Sequence, residues 1–131
     1  MSPDRLETVR ELLAALNQRD LDGYLACCTA DVELIPATVA VEGTYRGATG
    51  IRRFFGDLRD TSPDFRVELE RLDAVGQSVL ADERGNASGR ASGAGAGLEF
   101  TTVYEFERGK IRRIQMFLDR RTALEAVAPR E

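Results

Sequence analysis

The 131-residue sequence contains no histidine, and this absence restricts its chemistry more than any other feature of its composition. Without an imidazole the chain cannot supply a Ser-His-Asp triad, a Cys-His pair or the His-bearing zinc sites common in proteins. Proton transfer would have to use a carboxylate, a tyrosine, a lysine, a cysteine or water. Candidate catalytic residues are therefore sought among these groups.

Cysteine is also scarce, because Cys27 and Cys28 are the only two and they are adjacent. They fall in an apolar segment with helical spacing, which favours reduced, buried thiols over a disulfide staple. A redox or metal role is the alternative. No motif in the chain implies a metal or an organic cofactor, so we expect none.

An excess of positive charge is lacking as well. The 22 acidic residues outnumber the 18 basic ones, and the formal net charge is -4. Nucleic acids and anionic lipid surfaces would meet mild repulsion, so we expect neither as a partner. No apolar run approaches the roughly 20 residues that span a bilayer, and the opening MSPDRLE does not have the layout of a signal peptide. We expect a soluble, cytoplasmic protein.

The length predicts one domain with one core, over residues 1–131. Apolar residues at helical spacing predict a first helix that ends near Leu16, after the N-terminal signal of Ser2 and Pro3. The same spacing predicts a second, shorter helix from near Asp20 and a third over Gly47 to Leu58. The first two helices should form a helical hairpin.

Strands are predicted mainly in the second half of the chain. Val32 to Ile35 predicts a short early strand, and Phe65 to Leu69 and the segment around Val79 predict two more. Leu98 to Val127 alternates as two strands around an Arg-Gly-Lys turn and then breaks into a short helix. This order predicts an α+β fold with helices on one face of a curved antiparallel sheet.

The segment from Gly85 to Gly97 has five glycines among small and polar residues. We interpret it as a hairpin, because strands that bend sharply around a cavity need glycine for bulges and close approach. A flexible loop is the alternative. A phosphate-binding loop is disfavoured because no Gly-Lys-Ser/Thr follows. Ala37 to Val41 is a second small, apolar stretch that could be extended.

Three segments resemble the nuclear transport factor 2-like superfamily and, within it, the SnoaL-like group: RELLAALNQRDLDGYLACCTADVEL, EGTYRGATGIRRFF and VYEFERGKIRRIQMFLDRRTALEA. The resemblance covers nearly the whole chain. It implies a hollow, cone-shaped curved antiparallel sheet packed on three N-terminal helices, with a short C-terminal helix. The superfamily includes isomerases, cyclases, epoxide hydrolases and binding modules, so the fold alone does not fix a reaction.

Only some catalytic residues of these relatives have counterparts in this chain. Leu12 stands where ketosteroid isomerases have a tyrosine and Thr102 where they have an acid, so the steroid-type proton relay is not expected. The histidine of SnoaL-type cyclases has no counterpart. Compared with limonene epoxide hydrolases, Arg84 matches the arginine and Asp119 the second aspartate, whereas Asn86 replaces the first aspartate and cannot donate an acidic proton.

Asp119 and Arg84 are therefore the candidate catalytic residues, provided that both face the cavity. Asp119 would act as a base or water activator, and Arg84 would stabilise negative charge. Alternatively, Asp119 caps the following helix and Arg84 is an ion-paired surface residue. Further candidates for substrate binding, each of which could instead be ordinary packing, are Asn86, Tyr104, Gln115, Phe117, Tyr24 and Tyr45. The strand face that lines the pocket is left open.

Two function classes remain. The first is a cofactor-independent isomerase, cyclase or hydrolase that acts on a hydrophobic polyketide-, terpenoid- or steroid-like molecule with a carboxylate. The second is a non-catalytic module that binds a ligand or pairs with itself. Because relatives commonly pair through the outer face of the sheet, we expect a homodimer whose apolar patch includes Val67, Leu69, Val103 and Ile114.

Overall fold

The computed structural model of the chain describes residues 4–37, 43–86 and 98–127. The elements in chain order are α1 (Arg5–Asn17), α2 (Leu21–Ala26), β1 (Cys28–Ile35), β2 (Tyr45–Arg46), α3 (Gly47–Thr61), β3 (Arg66–Val75), β4 (Ser78–Asn86), β5 (Leu98–Glu107), β6 (Lys110–Phe117) and α4 (Arg120–Val127). The predicted α+β class is confirmed. The predicted order of helices and strands is confirmed too, except that the two-residue strand β2 was not predicted.

The strands form one six-stranded sheet in the order β2-β1-β6-β5-β4-β3. Neighbouring strands are antiparallel except β1 and β6, which run parallel. The sheet is therefore mixed, not wholly antiparallel as predicted, because β1 pairs with a strand far along the chain and such pairing leaves no local sequence pattern. Register shifts in the β1–β6, β3–β4 and β5–β6 pairs bend the strands, so the sheet curls.

The first helix is positioned at both ends by side chains. Asp4 caps it by accepting a hydrogen bond of 3.0 Å from the backbone N–H of Leu6. At the other end, the Asn17 side-chain amide donates to the carbonyl of Val67 at 2.9 Å and accepts from the N–H of Val67 at 2.8 Å. This pair of bonds fixes the end of α1 against β3, which brings the apolar side of the helix over the sheet.

The two faces of the sheet bury separate clusters. The inner face carries Val79, Ala81 and Glu83 of β4 and packs on the buried side chains of α1–α3. The outer face carries Leu80, which packs with Val103 of β5 and Ala123 of α4. The expectation that all helices share one face is therefore wrong for α4, which covers apolar residues of the outer face.

The apolar patch expected at a dimer interface does not lie on an exposed surface. Val67 and Ile114 belong to the inner core, and Leu69 packs against it. Val103 is buried in the outer cluster with Ala123. That assignment of residues was wrong because strand parity in a bulged sheet cannot be counted from the sequence. A homodimer stays a prediction.

The glycine-rich segment begins at a well-defined strand pair. Gly85 of β4 is paired with Leu98 of β5, so the two flanks are antiparallel as a hairpin requires. Residues 87–97, which include the predicted tip, lie outside the described residues, as do residues 38–41 of the predicted extended stretch. Within the described ranges, every helix is too short or too polar to cross a lipid bilayer.

Candidate functional site

A small cavity of about 40 Å³ lies between the inner face of the sheet and the first three helices. The described residues of its lining are apolar except for four that carry a polar group: Tyr24, Glu83, Thr102 and Tyr104. One water needs roughly 10–15 Å³, and ligand pockets usually exceed about 300 Å³. The cavity therefore has space for a few waters or for one end of a larger molecule.

Three large apolar side chains of the cavity lining are partly exposed. Phe54 of α3, Phe65 before β3 and Met116 of β6 are only half-buried, whereas the other described wall residues are buried. Because these three side chains reach the surface, a molecule that enters from solvent would pass between them.

Among the described residues that line the cavity, Glu83 is the only charged one. Strand alternation turns it inward, and its exposed fraction is 3%. One carboxylate oxygen accepts a hydrogen bond of 2.6 Å from the Tyr104 hydroxyl, and the other accepts one of 3.0 Å from the Thr102 hydroxyl. Both donors stand on β5, which pairs with β4, so the sheet itself sets this arrangement.

Burial controls the ionisation of Glu83. Desolvation raises the pKa of its carboxyl to about 7, although the hydrogen bonds from Tyr104 and Thr102 act in the opposite direction; the neighbouring Asp82 charge adds to the rise. Near neutral pH the group is thus present both as a carboxylate and as an acid. A group in this state is suited to accept and return a proton.

The two tyrosines of the lining remain phenols. Burial raises the pKa of both Tyr24 and Tyr104 well above its ordinary value, and the Glu83 charge adds to this. The Tyr104 hydroxyl is committed to Glu83. The Tyr24 ring packs edge-on against Phe55, with ring centroids 5.3 Å apart, and within the described part of the chain its hydroxyl has no hydrogen-bond partner. Tyr24 therefore offers the cavity a free donor.

The adjacent cysteines are free and buried, as predicted. The Cys28 thiol donates to the Tyr24 backbone carbonyl at 3.4 Å, and the Cys27 thiol to the Gly23 carbonyl at 3.5 Å. Burial raises the pKa of Cys28 to about 12, so its thiol stays neutral. Over the described ranges, no three His, Cys, Asp or Glu side chains are grouped so as to hold a metal ion.

The structure does not bring Asp119 and Arg84 into this cavity. Asp119 accepts a hydrogen bond of 2.8 Å from the N–H of Thr122 in the first turn of α4, and this bond lowers the pKa of its carboxyl. Arg84 points to the outer face, where it pairs with Glu70 at 3.1 Å and Glu99 at 2.5 Å. Their contacts are those of a helix cap and an ion-paired surface residue, and their catalytic roles stay predictions.

The expected substrate-binding residues divide between the two sides of the sheet. Tyr24 and Tyr104 line the cavity. Phe117 packs on the outer cluster, and Gln115 is paired with outward-facing Val103. Two others are placed elsewhere: Tyr45, whose hydroxyl donates to Asp57 at 2.7 Å, and Asn86, at the end of β4.

Glu83 and Thr102 were missed as members of a polar site by the sequence analysis. A usable signal was present, because Val79, Ala81, Glu83 and Gly85 share one strand parity and Glu83 is the only acid among them. Aligning β4 with β5 would have placed Thr102 and Tyr104 on the same face. Arg84, at the next position, matched a catalytic arginine of related enzymes, but its side chain lies on the opposite face.

Residues 9–114 match the family model of the SnoaL-like domain. The chain belongs to the SnoaL-like family. No protein of curated function matches this SnoaL-like chain in sequence.

Solved structures agree with the family on the fold. The crystal structure of TerC with polyporic acid has a TM-score of 0.78 at 21% identity and covers 94% of this chain and 96% of TerC. An uncharacterised cystatin-fold protein from Novosphingobium aromaticivorans has a TM-score of 0.72 at 25% identity, with coverage of 89% and 98%. A candidate polyketide cyclase from Sinorhizobium meliloti has a TM-score of 0.70 at 14% identity, with coverage of 87% and 99%. At such identities the likeness establishes the nuclear transport factor 2-like, cystatin-like fold alone.

Proposed function

We propose that this SnoaL-like protein is a small-molecule enzyme that moves a proton on a hydrophobic substrate, with Glu83 as the proton acceptor. The observation that carries the proposal is a buried carboxyl, with its pKa raised to about 7, in the lining of a mainly apolar cavity whose other described polar groups are hydroxyls. Structural acids in a core are rare unless paired, and perturbed acids in clefts are concentrated at functional sites. The chemistry needs only a base and hydrogen-bond donors.

The reaction class that fits is proton abstraction next to a carbonyl group. The Glu83 carboxylate removes a proton from the α-carbon, and the C–H electron pair forms the carbon–carbon double bond of an enolate. The carbonyl electrons move to its oxygen, which accepts a hydrogen bond from Tyr24. Where the α-carbon also neighbours a carbon–carbon double bond, the enolate is a dienolate. The oxygen electrons then re-form the carbonyl, a double bond forms between the α- and β-carbons, and the γ-carbon takes the proton back from Glu83, which isomerises the substrate. In a ring closure the enolate carbon instead attacks an internal carbonyl, and Glu83 protonates the new alkoxide.

Tyr104 and Thr102 have a positioning role in this scheme. Their hydroxyls donate to the two Glu83 oxygens and fix the plane of the carboxylate. They also stabilise its charged form, so without them the pKa of Glu83 would rise further. The pair thus keeps a fraction of Glu83 ionised near neutral pH.

The substrate is proposed to be a polyketide-, terpenoid- or steroid-like molecule, or a fragment of one, whose carbonyl end enters the cavity. The cavity of about 40 Å³ holds only that end. The rest of the molecule would lie against Phe54, Phe65 and Met116. A molecule with a long polar end would leave polar groups without partners among these side chains.

A second candidate is a non-catalytic module that uses the same interior to bind a ligand. The small cavity favours it, as does the fact that both Glu83 oxygens already have partners. In that case Glu83 and its two hydroxyl donors would be a self-sufficient polar cluster of the core. The two candidates differ in one measurable property, which is whether the protein transfers a proton.

The test is hydrogen–deuterium exchange at carbon, followed by ¹H NMR in D₂O on ketones of increasing size: butanone, cyclohexanone and 2-tetralone. We expect the protein to accelerate loss of the α-proton signal of at least one ketone, with a rate that rises through pH 7. The Glu83→Gln variant should lose the acceleration, whereas Asp119→Asn should keep it. If exchange is lost in Asp119→Asn and kept in Glu83→Gln, the proton acceptor is Asp119 and not Glu83. No acceleration above buffer with any of the ketones would favour the binding module.

A further inference from the structure

A second concave site is formed by the start of α2, by α3 and by the chain just before α2 and just after α3. This anion groove has a volume of about 430 Å³ and is lined by Arg19, Leu21, Arg52, Phe55, Gly56, Arg59 and Pro63. We infer that the anion groove binds a small amphiphilic carboxylate, with the carboxylate on the arginines and an apolar body on Leu21 and Phe55. This site is independent of the proposed proton transfer.

The charge of the groove is one-sided. Of the seven described residues that line it, three are arginines and none is acidic, in a chain whose net charge is -4. Local positive charge in an acidic protein opposes the overall field, so the groove is a place where an anion is attracted and a cation is repelled. The lining therefore favours a ligand with negative charge.

Arg19 is held rigidly at one wall of the groove. Its guanidinium donates to the backbone carbonyls of Leu16 at 2.8 Å, Pro63 at 3.0 Å and Phe65 at 2.8 Å. Among the described residues all its hydrogen-bond partners are neutral carbonyls. The half-buried cation is thus fixed in place, but its charge is not balanced by a paired carboxylate.

Arg52 and Arg59 extend the positive charge along α3. Residues 52, 56 and 59 share one side of the helix, and the two arginines stand about 10 Å apart along its axis. Within the described ranges Arg52 has no ion pair. Arg59 pairs only with Asp60 at 3.7 Å, and both of these side chains are more than two-thirds exposed, so the pair is weak. Both guanidiniums are available to a ligand.

The floor between the two arginines is apolar. Leu21 and Phe55 contribute hydrocarbon, and Gly56 contributes no side chain. A Cβ at Gly56 would meet, among the described residues, the Arg59 guanidinium at 3.6 Å, so one of the groove's own cations lies over the bare backbone at van der Waals distance. A planar or aliphatic body can lie there while its carboxylate makes the paired hydrogen bonds that guanidinium groups favour.

The chain supplies a matched control for this proposal. Arg53 is next to Arg52 on α3, but its guanidinium lies 4.8 Å from the centre of the Tyr45 ring and it does not line the groove. Removal of either arginine changes the net charge equally. Only Arg52 should matter if the site is local, whereas both should matter if anions respond to overall charge.

The experiment is isothermal titration calorimetry with 2-naphthoate, alongside neutral 2-naphthamide and inorganic phosphate. We expect 2-naphthoate to bind, with an affinity that falls at high salt. The Arg52→Gln variant, which is matched in charge to Arg53→Gln, should bind more weakly, and R52Q/R59Q should bind at least tenfold more weakly. Arg53→Gln should leave the affinity unchanged, and 2-naphthamide and phosphate should bind at least tenfold more weakly than 2-naphthoate. Gly56→Leu, which keeps the charges but fills the floor, should also weaken binding, with folding checked by circular dichroism.

The inference would be overturned by equal affinity of the wild type and R52Q/R59Q, by an equal loss of affinity in Arg52→Gln and Arg53→Gln, or by equal binding of naphthoate and naphthamide. Glu83→Gln separates this site from the cavity, because groove binding should not respond to it. A loss of 2-naphthoate binding in Glu83→Gln alone would place the molecule in the cavity and refute the groove.

Discussion

The Tyr104 hydroxyl donates a hydrogen bond of 2.6 Å to Glu83 in the interior of the protein. Both residues stand on adjacent strands, so the sheet holds the pair in place. This hydrogen bond stabilises the carboxylate and so limits the rise in pKa that burial causes, which leaves Glu83 able to exist with or without its proton near neutral pH.

The first prediction concerns the pH dependence of stability. The pKa of Glu83 is raised from 4.5 to about 7 in the fold, so the folded state binds more protons than the unfolded chain between these values. Stability should then fall as the pH rises from about 5 to 8, by roughly 3 kcal/mol, and stay level above the folded pKa. Urea unfolding of the wild type at pH 5 and pH 8 measures the difference.

Glu83→Gln should remove this fall, because a neutral amide of the same size has no charge to bury. The variant should therefore be more stable than the wild type at pH 8. Glu99→Gln, at an exposed position, serves as the control and should keep the wild-type dependence. A parallel fall in the wild type and in Glu83→Gln would show that another group is responsible.

The second prediction concerns Asp119. Asp119→Ala should lower the midpoint of thermal unfolding by several degrees, because it removes the acceptor for the Thr122 N–H at the start of α4. Asp119→Asn should keep most of that stability, since asparagine is also a good N-cap residue. Differential scanning calorimetry of both variants makes the comparison, and equal losses in the two would contradict the capping role.

The third prediction uses two glycines of the same helix. Gly56→Ala should stabilise the protein by about 0.5–1 kcal/mol, because alanine is the better helix former and its Cβ makes only an ordinary contact. Gly50→Ala should destabilise it by about 1–3 kcal/mol, because its Cβ would lie 2.8 Å from the Tyr45 backbone carbon. Chemical denaturation gives both values, and a change of the same sign in the two variants would contradict the packing of α3 on β2.

The fourth prediction concerns the attachment of α4 to the sheet. Arg120 pairs with Asp73 at 2.7 Å and with Asp82 at 2.8 Å, so one side chain of α4 bridges two strands. Arg120→Gln should lower the midpoint of unfolding by several degrees. Arg121→Gln should change it by about 1 °C or less, because Arg121 is exposed and its ion pair in the described part of the chain is a weak one with Glu125 at 3.6 Å. Similar shifts in the two variants would show that the bridge contributes little.

The Arg120 bridge also has a predictable response to acid. Hydrogen bonding from Arg120 lowers the pKa of Asp73, so its contribution is fully present above the ordinary aspartate pKa. That contribution should be lost as the pH falls through the lowered value of the folded state. The difference in unfolding midpoint between wild type and Arg120→Gln should thus shrink at strongly acidic pH.

Local patterns were sufficient to predict the elements of this fold. The stripe that ends near Leu16 and the alternation around the Arg-Gly-Lys turn each depend on residues close together in the sequence. The parallel pairing of β1 with β6 and the position of α4 over Leu80 could not be predicted, because contacts between distant segments decide them. The same limit explains why Val67 and Ile114 were expected on the outer face.

The site was harder to predict than the fold because it depends on which face of the sheet each side chain of β4 and β5 points to, and on how these two strands are aligned. Tyr24 and Tyr104 were identified as candidates from their residue type, and both line the cavity. Glu83 was overlooked because Arg84, one position later, matched a known catalytic pattern. A single residue step turns a side chain to the other face of a strand, so a match in sequence position does not give a match in direction.

The most direct test of the account is a titration of the glutamate side-chain carboxyls by ¹³C NMR in protein labelled at glutamate, with Glu83→Gln used to assign the Glu83 signal. The account predicts one carboxyl that titrates near pH 7 in the wild type and is absent from the variant. If every glutamate titrates below about pH 5, near the ordinary value of about 4.3, Glu83 is not poised to exchange a proton and the proposed catalytic role is wrong.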